Sequence, residues 1–261
     1  MKSTRREENF ISKEAKVHKS VRIGRYSLIE DNVEIGAETE IGNFVLIKNG
    51  TRIGKNNKIY SGAQLGIDPQ DYHFNGEYSE CIIGNNNIIR EYATISRATG
   101  EGKKTVIGNN NFIMTYVHIA HNAKIGNNTV IASGTQIGGY VEIDDFAYIG
   151  GLAGIHQFCR VGKYAMLGAK SYLNKDLPPF FIARGNRARI YGVNRLGLIR
   201  RYFTTEEIEE IKSIFRLIYR TKNTLQHILQ ILNNKHPNSF SKDIINFINS
   251  SKRGIILKQS Y

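Results

Sequence analysis

A six-residue repeat of branched aliphatic residues runs through most of this chain. Counted in sixes from Ile11, a single frame holds Ile, Val or Leu at 25 positions, with two gaps after which the same frame resumes. A period of six fits neither the 3.6 residues of an amphipathic helix nor the simple alternation of a hairpin sheet. The repeat therefore predicts a solenoid. The frame consists of Ile11, Val17, Ile23, Ile29, Ile35, Ile41, Ile47, Ile53, Ile59, Leu65, Ile83, Ile89, Ile95, Ile107, Ile113, Ile119, Ile125, Ile131, Ile137, Ile143, Ile149, Ile155, Val161, Leu167 and Leu173.

Each hexad predicts one short strand that points an aliphatic side chain into a narrow core. Gly, Asn and Asp recur beside the frame positions, where tight corners need positive φ angles at low cost. Three hexads would make a coil of 18 residues, and successive coils would stack about 4.8 Å apart. This arrangement resembles the left-handed parallel β-helix. The left hand comes from that resemblance alone, because a parallel crossover is otherwise right-handed.

The repeat also predicts the domain organisation of a mainly β protein with a small C-terminal α-helical domain. Thr204 and Glu207 have the spacing of a capping box, which starts a helix. Further helices are expected near residues 224–232 and 243–249. The predicted segments are a flexible N-terminal extension (1–10), the β-helix (11–179) with loop excursions at 66–82 and 97–105, an irregular connector (180–203) and the helical domain (204–261).

Charge and composition narrow the classes of partner. The 261 residues carry a net charge of +13, but Lys and Arg form no single block and no nucleic-acid motif occurs. An acidic protein or a nucleotide diphosphate fits this charge at least as well as a nucleic acid, and charge alone does not choose between them. Residues 1–10 lack the apolar region of a signal peptide. No apolar run reaches the roughly 18 residues of a membrane span, so we expect a cytoplasmic protein without an integral membrane segment.

The two cysteines, Cys81 and Cys159, do not make a disulfide framework. In stacked coils they would lie four coils, or roughly 19 Å, apart. Because a disulfide needs Cα atoms within about 7 Å, both thiols are expected to be free, which suits a reducing cytoplasm.

Three histidines fall in the uninterrupted part of the repeat: His118, His121 and His156. Histidines on a β-helix are often plain surface residues. However, Gly139 follows His121 by 18 residues and should stack directly beside it, one strand spacing away. A histidine base next to an accessible backbone N–H is what acyl transfer requires, because the base takes a proton and the N–H stabilises the oxyanion.

Clustered histidines also raise the alternative of a zinc site. His118 and His121 are close enough to share a metal. His156 lies about two coils, or near 10 Å, away and cannot join them in one subunit when Zn–N bonds are about 2 Å long. A zinc-binding or non-catalytic trimeric β-helix therefore remains open at this point.

Seven short strings in one order carry a resemblance to a known family. The chain resembles the acyl-(acyl-carrier-protein)–UDP-N-acetylglucosamine O-acyltransferases of lipid A biosynthesis over nearly its whole length. The strings HIAH and HQFC are the specific ones, since hexads alone occur in many sugar acetyltransferases. The strings are PQD (69–71), HIAH (118–121), IHQFC (155–159), DLPP (176–179), GVN (192–194), RR (200–201) and RGI (253–255).

The resemblance implies a homotrimer with active sites between subunits and no cofactor. Such an enzyme moves a 3-hydroxyacyl group from acyl carrier protein to the 3-position of a UDP-sugar. By motif, His121 would be the general base, the Gly139 N–H the oxyanion donor, and Gly168 with Ala169 part of the acyl-chain pocket. The implied substrate-binding residues are Asp71, His73, His118, Tyr140, His156, Gln157, Asn194, Arg200 and Arg201.

Three positions depart from the family pattern. Members usually carry Lys where this chain has His73, His where it has Tyr140, and an acidic residue where it has Leu196. All three fall at the expected sugar and nucleotide contacts, so UDP-N-acetylglucosamine and its 3-amino analogue both remain open as acceptors. The resemblance thus predicts the type of reaction more firmly than the acceptor. An acetyl-CoA-dependent sugar acetyltransferase is the alternative enzyme, although the long first excursion and the helical tail argue against it.

Overall fold

The computed structural model describes residues 9–235 and 239–257 of the chain. Short strands wind into a three-sided solenoid whose coils each place one strand on each of three faces. Face A holds β1 (Phe10–Ile11), β4 (Leu28–Ile29), β7 (Leu46–Ile47), β10 (Gln64–Ile67), β13 (Thr94–Ser96), β16 (His118–Ile119), β19 (Gln136–Ile137), β22 (Gly154–Ile155) and β25 (Tyr172–Leu173). Face B holds β2 (Lys16–Val17), β5 (Glu34–Ile35), β8 (Thr51–Ile53), β11 (Glu80–Ile83), β14 (Lys104–Ile107), β17 (Lys124–Ile125), β20 (Glu142–Ile143) and β23 (Arg160–Val161). Face C holds β3 (Arg22–Ile23), β6 (Glu40–Ile41), β9 (Lys58–Ile59), β12 (Ile88–Ile89), β15 (Phe112–Ile113), β18 (Val130–Ile131), β21 (Tyr148–Ile149), β24 (Met166–Leu167), β26 (Phe181–Arg184) and β27 (Arg189–Val193).

The frame residues stack on one another inside the solenoid. Ile119 pairs with Ile137, which pairs in turn with Ile155, and all three are almost fully buried. Burial of apolar surface stabilises the folded state by about 25 cal/mol per Å², so each coil stabilises its neighbours. The frame residues of the first coil are the exceptions, because no earlier coil covers them: Ile11 has 42% of its surface exposed, and Val17 and Ile23 are only partly buried.

The corner between faces A and B, here called the A–B corner, takes the left-handed backbone conformation. Asn122, Tyr140 and Phe158 occupy equivalent places there in three successive coils, with φ angles of 59°, 58° and 64°. Asn tolerates this conformation well, whereas aromatic residues rarely adopt it. Tyr140 and Phe158 stack with ring centroids 4.8 Å apart, and this contact offsets part of the backbone cost.

A buried ladder of polar side chains keeps the coils in register beside the core. Asn87 donates to Asn57, and the Asn111 N–H donates to the Asn87 side chain at 2.9 Å. Thr129 then donates to Asn111 at 2.8 Å. The sequence separations along the ladder are 30, 24 and 18 residues. Two coils therefore contain extra chain, which leaves the solenoid as loops between β10 and β11 and between β13 and β14.

The prediction of an irregular connector over residues 180–203 is wrong. Strand β26 continues face C by parallel pairing with β24, and β27 returns antiparallel to β26. Phe181 and Ala183 are buried in the core, so inward packing and pairing continue past Pro178 and Pro179, where the hexad count ends. The short helix α1 (Arg195–Ile199) follows.

Three longer helices cover the C-terminal end of the solenoid: α2 (Thr205–Tyr219), α3 (Leu225–Lys235) and α4 (Ser239–Asn249). The capping box of Thr204 and Glu207 is confirmed. The sequence predicted that α4 begins at residue 243, but the helix begins at Ser239. The earlier start lets Phe240 pack edge-on against Phe180, with ring centroids 5.7 Å apart. The chain then returns to the solenoid, where the Ile256 N–H donates to the Asp176 carbonyl.

The ends of the predicted domains are only partly described. Phe10, predicted to belong to the N-terminal extension, pairs with Leu28 and belongs to the first coil. Residues 1–8 of that extension, residues 236–238 and residues 258–261 of the helical domain lie outside the described residues. Cys81 and Cys159 are both buried and free. Within the described residues, no helix is long and apolar enough to cross a membrane.

Candidate active site

His121 lies at the A–B corner, directly after strand β16. Only 4% of its surface is exposed, so it is not one of the plain surface histidines of a β-helix. The chain turns at Asn122, which adopts the left-handed conformation and leads into β17. The hexad frame thus fixes the corner, and the corner holds the imidazole against the next coil.

One ring nitrogen of His121 is held by Asn122. His121 Nδ1 lies 2.8 Å from Asn122 Oδ1. The amide of Asn122 is itself oriented by Thr99, whose N–H donates to Oδ1 at 3.0 Å and whose carbonyl accepts from Nδ2 at 3.1 Å. Because Oδ1 only accepts, Nδ1 carries the proton and donates it. The lone pair of the neutral imidazole is therefore on Nε2.

Gly139 faces this nitrogen from the next coil, as the 18-residue spacing predicts. A Cβ atom built on Gly139 would lie 2.6 Å from His121 Nε2, closer than any real contact allows. The coils are joined here by the Tyr140 N–H, which donates to the His121 carbonyl at 3.0 Å. The Gly139 N–H has no hydrogen-bond acceptor among the described residues. Nε2 and an uncommitted backbone donor thus border the same space.

Asp71 reaches the same nitrogen from the first loop, residues 68–79. Its Oδ2 lies 3.7 Å from His121 Nε2. Hydrogen bonds from the backbone and the side chain of His73 lower the pKa of Asp71 to about 2, so the carboxylate is ionised at neutral pH. An anion at this distance stabilises a protonated imidazole more than a neutral one. His73 holds Asp71 at 3.0 Å, although 90% of its own side chain is exposed.

Arg97, in the second loop, anchors the loop that carries Asp71. It pairs with Asp68 at 2.9 Å, and its guanidinium lies 4.9 Å from the ring centre of Phe74. The two loops also share hydrogen bonds, since Glu77 accepts from the Gly100 N–H at 2.6 Å. The excursions therefore form one packed unit over the A–B corner. No motif in the sequence indicates this role of Arg97.

His118 lies on face A, in β16, and His156 lies at the edge of that face, directly after β22. His118 Nδ1 is 2.8 Å from Thr94 Oγ1. Burial of the ring is the larger cause that lowers the pKa of His118, and the charge of the neighbouring His121 is the smaller one. His156 is exposed with Gln157 two coils away, and its ring lies 6.4 Å from that of Tyr172. Within residues 9–235 and 239–257, no group of three His, Cys, Asp or Glu residues could hold a metal. The zinc alternative has no ligand set in that part of the chain.

Tyr140 stands beside His121, as its place in the repeat predicts. Its ring meets the imidazole edge-on at 5.4 Å, and 39% of the residue is exposed. The ring of Tyr140 also stacks on that of Phe158 in the next coil, with centroids 4.8 Å apart.

Asn194 and Arg201 lie at a different corner of the solenoid, between faces B and C. Asn194 is buried, caps helix α1 through the Gly197 N–H and donates to the Tyr164 carbonyl at 2.8 Å. The guanidinium of Arg201 lies over Phe146 at 4.9 Å. Arg200 is exposed immediately after α1. One chain alone does not bring these three residues to His121.

Gly168 and Ala169 occupy the third corner, between faces C and A. A Cβ atom on Gly168 would lie 3.0 Å from Arg184 Cβ, and one on Gly150 would lie 2.4 Å from the Ala169 nitrogen. This corner borders face A on the side opposite to His121. Leu196, the third departure from the family pattern, is 66% exposed on α1.

Asn122 is a second residue of this site that sequence reasoning missed. A usable signal was present, because Asn is favoured at corners with positive φ and here directly follows the candidate base. We predict that Asn122→Ala lowers kcat by about tenfold or more with little change in KM, since Nδ1 loses its acceptor. Asn122→Asp keeps an acceptor and should retain more activity than Asn122→Ala. Steady-state kinetics on both variants provide the measurement.

The matched control is Asn128→Ala, which places Ala at another left-handed corner, with φ of 57°, away from His121. It should lose stability through the same backbone strain and keep its kcat. Equal losses of kcat in Asn122→Ala and Asn128→Ala would mean that Asn122 acts only on the fold.

Comparisons with known proteins show which family this chain is similar to. Residues 176–256 match the family model described as UDP-N-acetylglucosamine O-acyltransferase, domain 2, and residues 104–139 match the bacterial transferase hexapeptide model of six repeats. The acyl-(acyl-carrier-protein)–UDP-N-acetylglucosamine O-acyltransferase of Aliarcobacter butzleri is 43% identical over 92% of this chain and 97% of its own. The one of Thermodesulfovibrio yellowstonii is 45% identical over 94% and 96%.

Solved structures extend the similarity to the fold. The UDP-N-acetylglucosamine acyltransferase of Francisella novicida is 38% identical, covers 96% of this chain and 92% of its own, and superposes with a TM-score of 0.93. The enzyme of Bacteroides fragilis is 39% identical over 96% and 98%, with a TM-score of 0.92. These similarities confirm the left-handed parallel β-helix, whose coils were predicted from the repeat and whose hand was predicted from the resemblance.

The hexapeptide-repeat β-helix, together with the relatives it resembles, makes this chain an acyltransferase. Within that class, the chain belongs to the acyl-(acyl-carrier-protein)–UDP-N-acetylglucosamine O-acyltransferase family.

Proposed function

We propose that this chain transfers a 3-hydroxyacyl group from acyl carrier protein to the 3-position of UDP-N-acetylglucosamine, or of its 3-amino analogue, in the cytoplasm. This is the first step of lipid A biosynthesis. The observation that carries the proposal is His121 Nε2, free to accept a proton, opposite the Gly139 backbone. The names of the relatives supply the substrates, and no resident cofactor is needed.

His121 is the general base of the proposed reaction. Nε2 takes the proton of the acceptor hydroxyl as its oxygen attacks the thioester carbonyl of the donor. The tetrahedral oxyanion is stabilised by the Gly139 N–H. Collapse of the intermediate breaks the carbon–sulfur bond, and the departing thiolate of the carrier takes the proton back from His121. Asp71 stabilises the imidazolium between these two steps.

An acceptor with a 3-amino group is compatible with the same centre. Its nitrogen would attack the thioester and give an amide, and His121 would again take the proton. Tyr140 stands beside His121 where family members usually have a titratable histidine. The two acceptors must therefore be compared directly in an assay. Purified protein is given 3-hydroxyacyl carrier protein with each acceptor in turn, and ester and amide products are separated.

The same assay tests the alternative function. An acetyl-CoA-dependent sugar acetyltransferase would turn over acetyl-CoA and ignore the carrier-bound donor. Turnover with carrier-bound donor and none with acetyl-CoA supports the proposal. The reverse result would replace it.

A homotrimer is part of the proposal because one chain separates the expected substrate residues. His121 lies at the A–B corner, whereas Arg200 follows α1 at the corner between faces B and C. A neighbouring subunit that presents its B–C corner to the A–B corner would bring both into one site. In a closed ring, each of three such interfaces would then contain one active site.

Mixed oligomers test this arrangement. His121→Ala and Arg200→Ala chains, each inactive or nearly so, are unfolded together and refolded at equal amounts. About one interface in four should then join an intact His121 to an intact Arg200 and recover activity, because subunits assort at random. Chains that each hold a complete site would show no recovery, and a monomeric mass in solution would contradict the trimer directly.

A further inference from the structure

A cavity of about 830 Å³ lies at the C-terminal end of face A, outside the site described above. Its wall comes from the turn between β26 and β27 and from residues that follow β25. Lys175, Arg184, Arg187 and Arg189 line it, together with Ile255 and Ile256. We call this cavity the basic pocket.

The four cations of the basic pocket have no counter-charge in the described part of the chain. No carboxylate of the described residues lies within ion-pair distance of any of them, whereas Arg52 pairs with Glu80 and Lys163 with Asp243. Asp176 is near in sequence, but it is buried and its carboxylate accepts from Ser251 at 2.7 Å. The pocket therefore carries an uncompensated positive charge.

Strand pairing forces two of these cations together. Arg184 and Arg189 are direct partners on the antiparallel strands β26 and β27. Like charges directly opposite each other on a sheet destabilise it, unless an anion lies between them. Arg184 is also held in place, since its guanidinium lies 3.5 Å from the ring centre of Tyr191. The fold thus maintains a repulsive pair at a concave site, an arrangement that a bound anion would relieve.

One cation of the basic pocket, Lys175, is aligned with the catalytic corner, whereas Arg184 lies across face A, beside Gly168. Leu173 pairs with Ile155 and Ile155 with Ile137, so Lys175 occupies the place in its coil that His121 occupies three coils earlier. Three coil spacings amount to about 14 Å. A substrate whose reacting group is at His121 can therefore extend along the solenoid and place a charged group in the pocket.

We infer that the basic pocket binds a phosphate group of a substrate. Arginine forks bind phosphate oxygens through paired charge-assisted hydrogen bonds, and a lysine adds a point charge. This inference rests on the proposed function, which supplies two sources of phosphate: the phosphodiester of the carrier's pantetheine arm and the diphosphate of the sugar nucleotide. The apolar floor of Ile255 and Ile256 favours a phosphate carried on an alkyl arm, hence the acyl donor.

The test removes the opposed pair of arginines. The variant Arg184→Ala/Arg189→Ala should raise KM for the carrier-bound donor about tenfold or more, with kcat within about twofold and KM for the sugar nucleotide unchanged. The control Lys13→Ala/Lys19→Ala removes the same charge at the opposite end of the solenoid. If KM for the sugar nucleotide rises instead, the phosphate is that of the nucleotide. If neither KM differs from the control, the inference is wrong.

Direct binding separates this inference from the proposed function. Phosphopantetheine, pantetheine without phosphate, and UDP are titrated into the wild-type protein and into both double variants. The inference requires that phosphopantetheine or UDP bind the wild type about tenfold more tightly than the arginine variant, and that pantetheine show no such difference. This holds even if the wild type turns over neither acceptor. Removal of the repulsive pair should not lower the melting temperature of the unliganded protein. A lower melting temperature would therefore show that the variant weakens binding by destabilising the fold.

Discussion

His121→Ala is expected to lower kcat by about 10²–10⁴-fold while leaving the binding of the sugar nucleotide nearly unchanged. The contact of Nδ1 with Asn122 Oδ1 at 2.8 Å leaves the lone pair of the His121 imidazole on Nε2, where it can accept the proton of the acceptor. Without it, proton removal falls to solvent. Rapid-quench measurement of the acyl-transfer step shows the loss directly, and sugar-nucleotide binding is followed by calorimetry.

The buried position of His121 requires a control for the fold. Truncation leaves a small cavity at the A–B corner, so the melting temperature should fall by a few degrees. His18→Ala, an exposed histidine of the first coil, should change neither kcat nor stability. A kcat in His121→Ala above one tenth of the wild-type value would remove His121 from the role of base.

Gly139→Ala is expected to reduce kcat by about 10²–10³-fold, because the new methyl group has no room. Its Cβ would lie 2.6 Å from Nε2 and 2.7 Å from Cε1 of His121, so the ring or the coil must shift. A shift of either kind separates the base from the backbone donor and fills the space where the oxyanion forms. The effect should fall mainly on kcat, since only the transition state uses both groups.

Gly151→Ala is the matched control, since Gly151 precedes a left-handed corner residue just as Gly139 does. A Cβ atom there would lie no closer than 3.2 Å to its nearest neighbour, the Ser133 carbonyl oxygen. This variant should therefore fold and keep most of its kcat. If the two glycine variants lose activity equally, the loss reflects the coil and not the contact with His121.

The repeat made most of the fold predictable. Each hexad specifies a strand, an inward side chain and a corner, so pairing register follows from counting, as for Ile119 with Ile137. The count failed at residues 180–203, where inward packing by Phe181 continues without a hexad. The helical pattern placed the start of α4 too late, because it does not report that the ring of Phe240 meets Phe180. Both depend on contacts between segments distant in the repeat, which periodicity does not report.

The candidate site was predictable where the coil itself builds it. The contact of Gly139 with His121 follows from a spacing of one coil. Asp71 was assigned by resemblance alone, because its approach to His121 depends on how a loop of twelve residues folds back. That path is set by Arg97, whose partners Asp68 and Phe74 lie in the other loop. Such a contact between two loops cannot be predicted from the spacing of residues along the chain.

The buried ladder from Asn57 to Thr129 has a consequence for how such proteins diverge. Its steps of 30, 24 and 18 residues differ by multiples of six, so each loop enters and leaves the solenoid without moving the hydrogen bonds above and below it. The hydrogen bonds of the solenoid therefore do not depend on the sequence or the length of the loops. A loop that carries Asp71 can therefore lengthen, shorten or be exchanged between relatives as a cassette, and the catalytic corner beneath it keeps its shape.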